Sequence, residues 1–245
     1  MKLICFLIIF VFGPLTLAYS QLKPGDLAVV AYNTAGTDSF AWVALRDMPQ
    51  GTVIHFATAC VSNGWFRWGD HLGRAVAPGP LTWTSTNWVK AGSVISWIAG
   101  TQKCWSVGSI SGGAPVLSSS GDQIFVFTGM IVSNSSGRIP WLGDPVQALM
   151  LYGLNFANEG WDNVTGGNLS TSFIPAGLSV GACTAVHAGN QRNAFYAGPC
   201  SGTVTRLLSA ISNSSNWVTS VDWISPDQWP VRFSITPTGT FLIVQ

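Results

Sequence analysis

Short apolar runs separated by turn residues dominate the first quarter of this chain. Three of these runs, at 27–32, 40–45 and 53–57, are rich in β-branched and aromatic residues. The intervals 33–38 and 47–51 hold Asn, Asp, Gly and Pro, which favour tight turns because they pre-set backbone dihedrals or hydrogen-bond their own backbone. Runs of this composition, bounded by such residues, are typical of β-strands. The pattern therefore predicts the opening meander of an all-β domain.

The same alternation continues to the end of the chain, with one exception. Apolar residues recur at helical spacing within 203–211, and an Asn-Ser-Ser run at 213–215 ends them, so this stretch is predicted as a short helix. Further strands are predicted at 81–83, 94–98, 105–110, 124–128, 146–156 (one long bent strand or a pair), 233–235 and 240–244. Because no Pro-rich or charge-rich linker interrupts the pattern, we expect residues 21–245 to form a single all-β, sandwich-like domain with one short helix in its C-terminal quarter.

The first twenty residues have the composition of a secretory signal peptide. Lys2 provides the positive charge, residues 3–11 form the apolar region, and Ala18-Tyr-Ser20 is a small-x-small cleavage site. The apolar run is shorter than the ~20 residues needed to span a bilayer, and no second long apolar segment follows. The sequence therefore predicts a secreted, extracellular protein with 1–20 as signal peptide and no membrane span.

The stretch 24–65 resembles an all-β domain known mainly from secreted and surface proteins of bacteria. In that family the pattern runs roughly G-D-I-A, G-Y-N, an acidic turn, F-x-F-V-L-L, D-I-P-x-G-T-x-I-Y-F-T-D and a nearby G-W. The matching residues here are Gly25, Asp26, Ala28, Tyr32, Asn33, Asp38, Phe40, Val43, Leu45, Asp47, Pro49, Gly51, Thr52, Ile54, Phe56, Gly64 and Trp65. The similarity continues in short motifs as far as Asn216-Trp217 and so covers nearly the whole mature chain. The resemblance implies an architecture and no established activity, and Ala57-Thr-Ala-Cys60 stands where relatives often have an Asp-Asn pair.

Charge is unusually scarce, at 9% of residues, whereas the chain contains 12 Trp. Without Lys2, 10 basic and 10 acidic residues remain, so the mature chain is neutral. A neutral chain lacks the electrostatic footprint of a nucleic-acid or anionic-membrane binder, and we expect neither partner. Its surface must instead be rich in Ser, Thr, Asn and Gly, which suits a glycosylated protein or one that assembles. Trp42, Trp83 and Trp97 lie in or beside strand patterns and are expected in the core.

Four cysteines remain after the signal segment: Cys60, Cys104, Cys183 and Cys200. An even number in a secreted chain predicts two disulfides from three possible pairings, and sequence proximity favours Cys60–Cys104 and Cys183–Cys200. Since the spacing of Cys and His matches no metal-binding motif, no metal or cofactor is expected. Acidic residues at turns are better explained by turn and cap hydrogen bonds than by calcium binding. Asn-x-Ser/Thr triplets predict glycosylation at Asn134, Asn163, Asn168 and Asn213.

Two clusters of aromatic and charged residues are candidate binding sites. One is the loop 61–74, and the other surrounds the single glutamate of the chain. An aromatic ring beside carboxylates and amides can stack on a pyranose and hydrogen-bond it; the alternative in both clusters is that the Trp rings pack against the sheet. The candidate binding residues are Trp65, Arg67, Trp68, Asp70, His71, Glu159 and Trp161.

No catalytic residue is assigned, because the chain lacks a G-x-S-x-G nucleophile elbow and a clear pair of opposed carboxylates. The predicted function is that of a secreted, non-enzymatic glycoprotein, an extracellular matrix, coat or surface component whose partner is an extracellular glycan or a matrix protein. The alternative is a lectin-like carbohydrate-binding module that uses exposed Trp. A further alternative is a glycoside hydrolase with Glu159 or Asp162 as acid/base.

Overall fold

The computed structural model describes residues 21–58, 60–62, 65–67, 80–100, 106–113, 115–129, 138–140, 148–157, 160–162 and 172–238. Within these ranges the chain forms one α-helix, α1 (Val204–Ser212), and eighteen mostly short strands. In chain order the strands are β1 (Leu27–Asn33), β2 (Ser39–Ala44), β3 (Val53–Ala57), β4 (Cys60–Ser62), β5 (Trp65–Arg67), β6 (Leu81–Thr84), β7 (Val94–Ile98), β8 (Ser109–Gly112), β9 (Gln123–Gly129), β10 (Arg138–Pro140), β11 (Ala148–Asn155), β12 (Trp161–Asp162), β13 (Ser172–Phe173), β14 (Ala185–His187), β15 (Asn193–Tyr196), β16 (Ser201–Gly202), β17 (Trp217–Ser220) and β18 (Ser234–Ile235).

Two large sheets contain most of these strands. One has five strands in the order β17-β15-β1-β2-β7, and the other has six in the order β14-β11-β9-β3-β6-β8. Within these two sheets neighbouring strands are antiparallel except for β11 and β14, which are parallel. Smaller sheets are formed by β10-β5-β4, β12-β13 and β16-β18. The predicted all-β fold, with one short helix near the C-terminus, is confirmed.

Aromatic rings fill the space between the two large sheets. Tyr32 of the five-stranded sheet stacks on Phe156 at a centroid distance of 4.2 Å. Trp42 meets Trp83 of the six-stranded sheet edge to face at 5.0 Å. Trp42 and Trp83 are 0% exposed and Trp97 is 1% exposed, which confirms their predicted place in the core. Ring pairs of this kind stabilise a core beyond the area that they bury, so they fix how the sheets face each other.

Helix α1 closes one side of the sandwich. Its N-cap Thr203 accepts a hydrogen bond from the backbone N–H of Arg206 through its hydroxyl oxygen, as capping residues do. The helix buries the apolar stripe Leu207, Leu208 and Ile211. It contacts β1 of one sheet and β14 of the other, so it packs where the two sheets come together. The predicted helix 203–211 therefore begins and ends one residue later than expected.

The C-terminal segment runs from one end of the five-stranded sheet to the other. It is held at the end of β1 by hydrogen bonds between Asn33 and Ile224, and ahead of β7 by a bond from the Phe233 N–H to the Gly92 carbonyl of 2.8 Å. Ile224, Trp229 and Phe233 are buried in the main core. This crossing accounts for the burial of every residue of β1 and β2, whose other face packs on the six-stranded sheet.

Some predicted strands differ from those in the structure. The strand expected at 105–110 is β8, at Ser109–Gly112, and 146–156 forms the single strand β11 with an irregular register between Met150 and Tyr152. The proposed loop 61–74 begins as a hairpin of β4 and β5 rather than as irregular chain. The strand expected at 240–244 lies outside the described residues. In the part of the chain that the structure describes, no helix has the length and hydropathy needed to cross a bilayer.

Candidate functional site

The first predicted cluster is only partly covered by the structure. Trp65 and Arg67 are the first and last residues of β5, where Trp65 pairs with Ser62 and Arg67 pairs with Cys60 and with Arg138 of β10. Trp68, Asp70, His71 and the second cluster's Glu159 lie outside the described residues. Their role in binding stays a prediction.

Trp161, in the second cluster, packs against the six-stranded sheet. Its ring lies 5.9 Å from that of Phe125, and it belongs to a small apolar cluster with Leu178. A methyl group at Gly153 would lie 3.1 Å from the indole, so the absence of a side chain at Gly153 makes room for the ring. Trp161 therefore fits the alternative in which the Trp ring packs against the sheet. Asp162, the partner considered for hydrolysis, follows it in β12.

The predicted Cys183–Cys200 disulfide is absent, since both residues are free thiols. Cys183 Sγ accepts a hydrogen bond of 3.2 Å from Ser212, the last residue of α1, whereas Cys200 lies three residues before the N-cap of the same helix. A nine-residue helix is about 13 Å long, and bridged cysteines have Cα atoms no more than ~7 Å apart. Proximity in sequence was misleading because α1 separates the two thiols. Cys104 and the side chain of Cys60 lie outside the described residues.

One predicted glycosylation site, Asn213, lies in the described part of the chain. It is exposed, directly follows α1, and accepts a hydrogen bond of 3.0 Å from the Ser215 N–H through Oδ1. That bond uses Oδ1 and not Nδ2, the atom to which a glycan is attached. Asn134, Asn163 and Asn168 lie outside the described residues.

Buried polar side chains gather at one end of the sandwich, where many strands begin or end. We call this the polar end. Its position is fixed by the stacking of Tyr32 on Phe156, which brings the last residues of β1 and β11 together. The polar residues at the strand ends are Asn33, Ser39, Gln123, Asn155 and Asn193, each 0% exposed.

Each of these amides bonds the backbone of a neighbouring loop. Asn193 Oδ1 accepts from the backbone N–H groups of Thr34 and Ala35, and its Nδ2 donates to the carbonyl of Asp222 at 2.8 Å. Asn155 accepts from the Ala157 N–H at 2.8 Å and donates to the Gly160 carbonyl at 3.2 Å. Buried amides that bond through both their oxygen and their nitrogen, as Asn155 and Asn193 do, make the loops rigid, whereas Gln123 Oε1 has no partner among the described residues.

Two carboxylates complete the polar end: Asp122 stabilises its own turn, as the sequence predicted, whereas Asp38 bonds a loop that is distant in the chain. Asp122 accepts hydrogen bonds from the N–H groups of Ser118 and Gln123, and Asp38 accepts one from the Leu117 N–H. Burial raises the pKa of Asp122 well above its ordinary value, against the effect of those N–H donors, and the nearby charge of Asp38 raises it further. Burial raises the pKa of Asp38 as well. Both carboxylates therefore stabilise loops by accepting backbone N–H hydrogen bonds.

An open cleft lies on the surface of the polar end. Its volume is about 240 Å³, and it lies between the 119–121 turn, the 190–192 loop and the chain after β17. The lining residues are Ser119, Ser120, Gly121, Asn190, Gln191, Arg192 and Val221. Trp223, two residues beyond Val221, is 46% exposed and lies against the Gly36 turn.

Sequence reasoning missed this cleft because its residues are far apart along the chain. The available signal was an Asn or Gln at the end of three predicted strands, at positions 33, 123 and 155. Among the described residues, His, Cys, Asp and Glu form no group of three that could hold a metal ion. Comparison of the chain with protein-family models, curated proteins and solved structures found no match.

Proposed function

We propose that this chain is a secreted, non-enzymatic glycoprotein that assembles into an extracellular matrix, coat or surface layer. The observation that supports assembly best is the exposed edge strand β8. Among the described residues it is the last strand of the six-stranded sheet, and all four of its residues are exposed. No charged residue occurs between positions 106 and 121.

Edge strands present unpaired N–H and C=O groups that can pair with another strand, and proteins that avoid this usually place Lys or Pro on the edge. Strand β8 has neither residue. Glycines hold it at both ends: Gly108 and Gly112 have φ of 93° and 85°, and a side chain at either would overlap Trp83 or Pro80. This close packing holds both ends of the strand against the sheet and leaves its outer edge available to a second copy of the protein.

Sedimentation velocity of protein recovered from the medium of cells expressing the full chain tests both secretion and assembly. We expect wild type to form oligomers whose size rises with concentration. Ser111→Lys, which places a charge on β8, should remain monomeric. Ser214→Lys is the matched control, because Ser214 is exposed, lies outside the strands and can change without loss of the Asn213 triplet. A monomeric wild type, or a Ser111→Lys variant that assembles normally, would contradict the proposal.

A further inference from the structure

We propose that the cleft at the polar end binds a single sugar unit that carries a carboxylate or sulfate group. The inference rests on the extracellular role proposed above and supplies its ligand class, but it does not depend on pairing through β8. The described residues that line the cleft include none of the candidate binding residues of the sequence analysis.

The backbone of the cleft is fixed before any ligand arrives. The Tyr32 hydroxyl donates to the Gln191 carbonyl at 3.0 Å, and the Thr34 N–H donates to the Arg192 carbonyl at 3.0 Å. On the opposite wall, the Gly121 N–H donates to the Ser118 carbonyl at 3.1 Å, closing the turn. Since ordering mobile loops weakens binding, a wall held in place by the core increases the affinity that its side chains can provide.

Gly121 and Asn193 hold two segments of the cleft in place: the 119–121 turn and the chain after β17. Gly121 has φ of 109°, and a Cβ there would lie 2.7 Å from Ala157 Cα, so only glycine lets the turn pack this closely on the sheet. Asn193 Nδ2 donates to the carbonyls of Ser220 and Asp222, which places Val221 between them on the cleft wall.

The side chains of the cleft have the chemistry of a saccharide site. Ser119 and Ser120 supply hydroxyl groups, and Asn190 and Gln191 supply amides, so both walls can donate to and accept from sugar hydroxyls. All four residues are exposed. Val221, 64% exposed, provides the apolar surface on which the C–H face of a sugar ring can lie.

Arg192 is the reason for assigning an acidic sugar. It is exposed at the cleft, and its guanidinium forms no ion pair with the residues that the structure describes, where Arg46–Asp26 is the one salt bridge found. The carboxylate of Asp122 is buried and bonded within its turn, so it does not compete for the guanidinium. A guanidinium bonds carboxylate and sulfate through two parallel N–H groups, a geometry that neutral sugars cannot match.

The size of the cleft limits the ligand to one ring. Pockets for drug-sized molecules have volumes of roughly 300–1,000 Å³. The cleft, at about 240 Å³, lies below that range and is open on one side. A terminal sugar can therefore enter while the remainder of a glycan continues into solvent.

A glycan array with acidic and neutral saccharides, followed by calorimetric titration with glucuronate, glucose and inorganic sulfate, tests the site. We expect wild type to prefer saccharides with terminal carboxylate or sulfate, Arg192→Gln to weaken that binding at least tenfold, and Val221→Ser to weaken acidic and neutral sugars alike. Arg232→Gln is the matched control, since Arg232 is exposed at the opposite end of the five-stranded sheet. Unchanged melting temperatures would show that the variants fold.

Several outcomes would contradict the proposal that the cleft binds an acidic sugar. Equal binding of glucuronate and glucose, or normal binding by Arg192→Gln, would contradict the assignment of an anionic ligand. Binding of sulfate alone, with no saccharide preference, would reduce the cleft to a simple anion site. If Ser111→Lys abolishes assembly but keeps the array pattern, the two proposals stand separately. If wild type assembles and binds no saccharide, the cleft proposal fails alone.

Discussion

Asn33 and Ile224, 191 residues apart in the chain, are joined by two reciprocal hydrogen bonds. Asn33 Nδ2 donates to the Ile224 carbonyl at 2.8 Å, and the Ile224 N–H donates to Asn33 Oδ1 at 3.2 Å. The side-chain amide thereby takes the place of a neighbouring strand's backbone. It fixes the C-terminal segment at the polar end of the sandwich.

Asn33→Ala should therefore cost much more stability than the loss of an exposed amide. The substitution leaves the buried N–H and carbonyl of Ile224 unpaired, and each unsatisfied buried group costs about 1–3 kcal/mol. We expect the free energy of unfolding in urea to fall by roughly 2–4 kcal/mol. Asn190→Ala, at an exposed position, should change it by less than about 0.5 kcal/mol. Similar losses in the two variants would refute the assigned role of Asn33.

The contact between Gly92 and Phe233 can be tested against a second glycine with the same backbone conformation. Gly92 and Gly51 have φ of 88° and 83°, so alanine is strained at both. A Cβ at Gly92 would overlap the Phe233 carbonyl oxygen, whereas at Gly51 it would meet nothing within 4 Å. Gly51→Ala should cost about 1–2 kcal/mol from backbone strain alone. Gly92→Ala should cost clearly more and expose the C-terminal segment to proteolysis; equal costs would mean that the segment packs elsewhere.

Two core tryptophans should respond differently to the same substitution. The Trp83 Nε1–H donates to the Val107 carbonyl at 2.7 Å, whereas the Trp42 Nε1–H has no acceptor among the described residues. Phenylalanine removes a similar volume at both sites, but it removes a hydrogen bond at Trp83 and an unsatisfied donor at Trp42. Thermal denaturation should show Trp83→Phe to be less stable than Trp42→Phe by about 1 kcal/mol.

Truncation of Trp42 to alanine tests the core itself. Trp42 is 0% exposed and packs on Trp83 and Phe56. Large aromatic truncations in cores cost about 3–5 kcal/mol, so the melting temperature of Trp42→Ala should fall by many degrees. A normal melting curve would show that the ring does not contribute to the core.

The strands that were predicted correctly are those with a strong local pattern. In β3, Ile54 and Phe56 are buried while Val53 is exposed and His55 half-buried, as alternation requires. Strands such as β15 and β17 were missed because each has only four residues and is stabilised by partners distant in sequence. The helix was predicted because its apolar stripe is encoded locally.

The site depended on contacts that local pattern cannot reveal. The cleft brings together three segments separated by roughly 30 to 70 residues, and the side chains that support it are Asn and Gln at strand ends. Single amides of this kind are common in turns, so only the fold distinguishes those that hold a loop. The disulfide prediction failed for the same reason, since α1 separates Cys183 from Cys200.

His55 gives the fold a pH dependence whose direction follows from burial. Its Nδ1 lies 2.9 Å from the Thr82 hydroxyl and its ring stacks on Phe127 at 5.2 Å. Burial lowers the pKa of His55 below its ordinary value of 6.5, although a hydrogen bond with Gly129 opposes the shift. Because the unfolded chain then binds a proton more tightly than the folded one, stability is complete above about pH 6.5 and is lost as the pH falls towards the lower pKa of the folded state.

The expected result is a melting temperature that falls between about pH 7.5 and pH 5.5, with a smaller fall in His55→Gln. Glutamine stays neutral and can still bond Thr82, so the variant removes the proton and keeps the contact. Val53→Gln, on the same strand at a position 38% exposed, should keep the wild-type pH dependence. Buried Asp122, whose pKa is raised, acts in the opposite direction, since its ionisation destabilises the fold as the pH rises. The comparison of variants therefore isolates His55, and an identical fall in wild type and His55→Gln would assign the pH dependence to other groups.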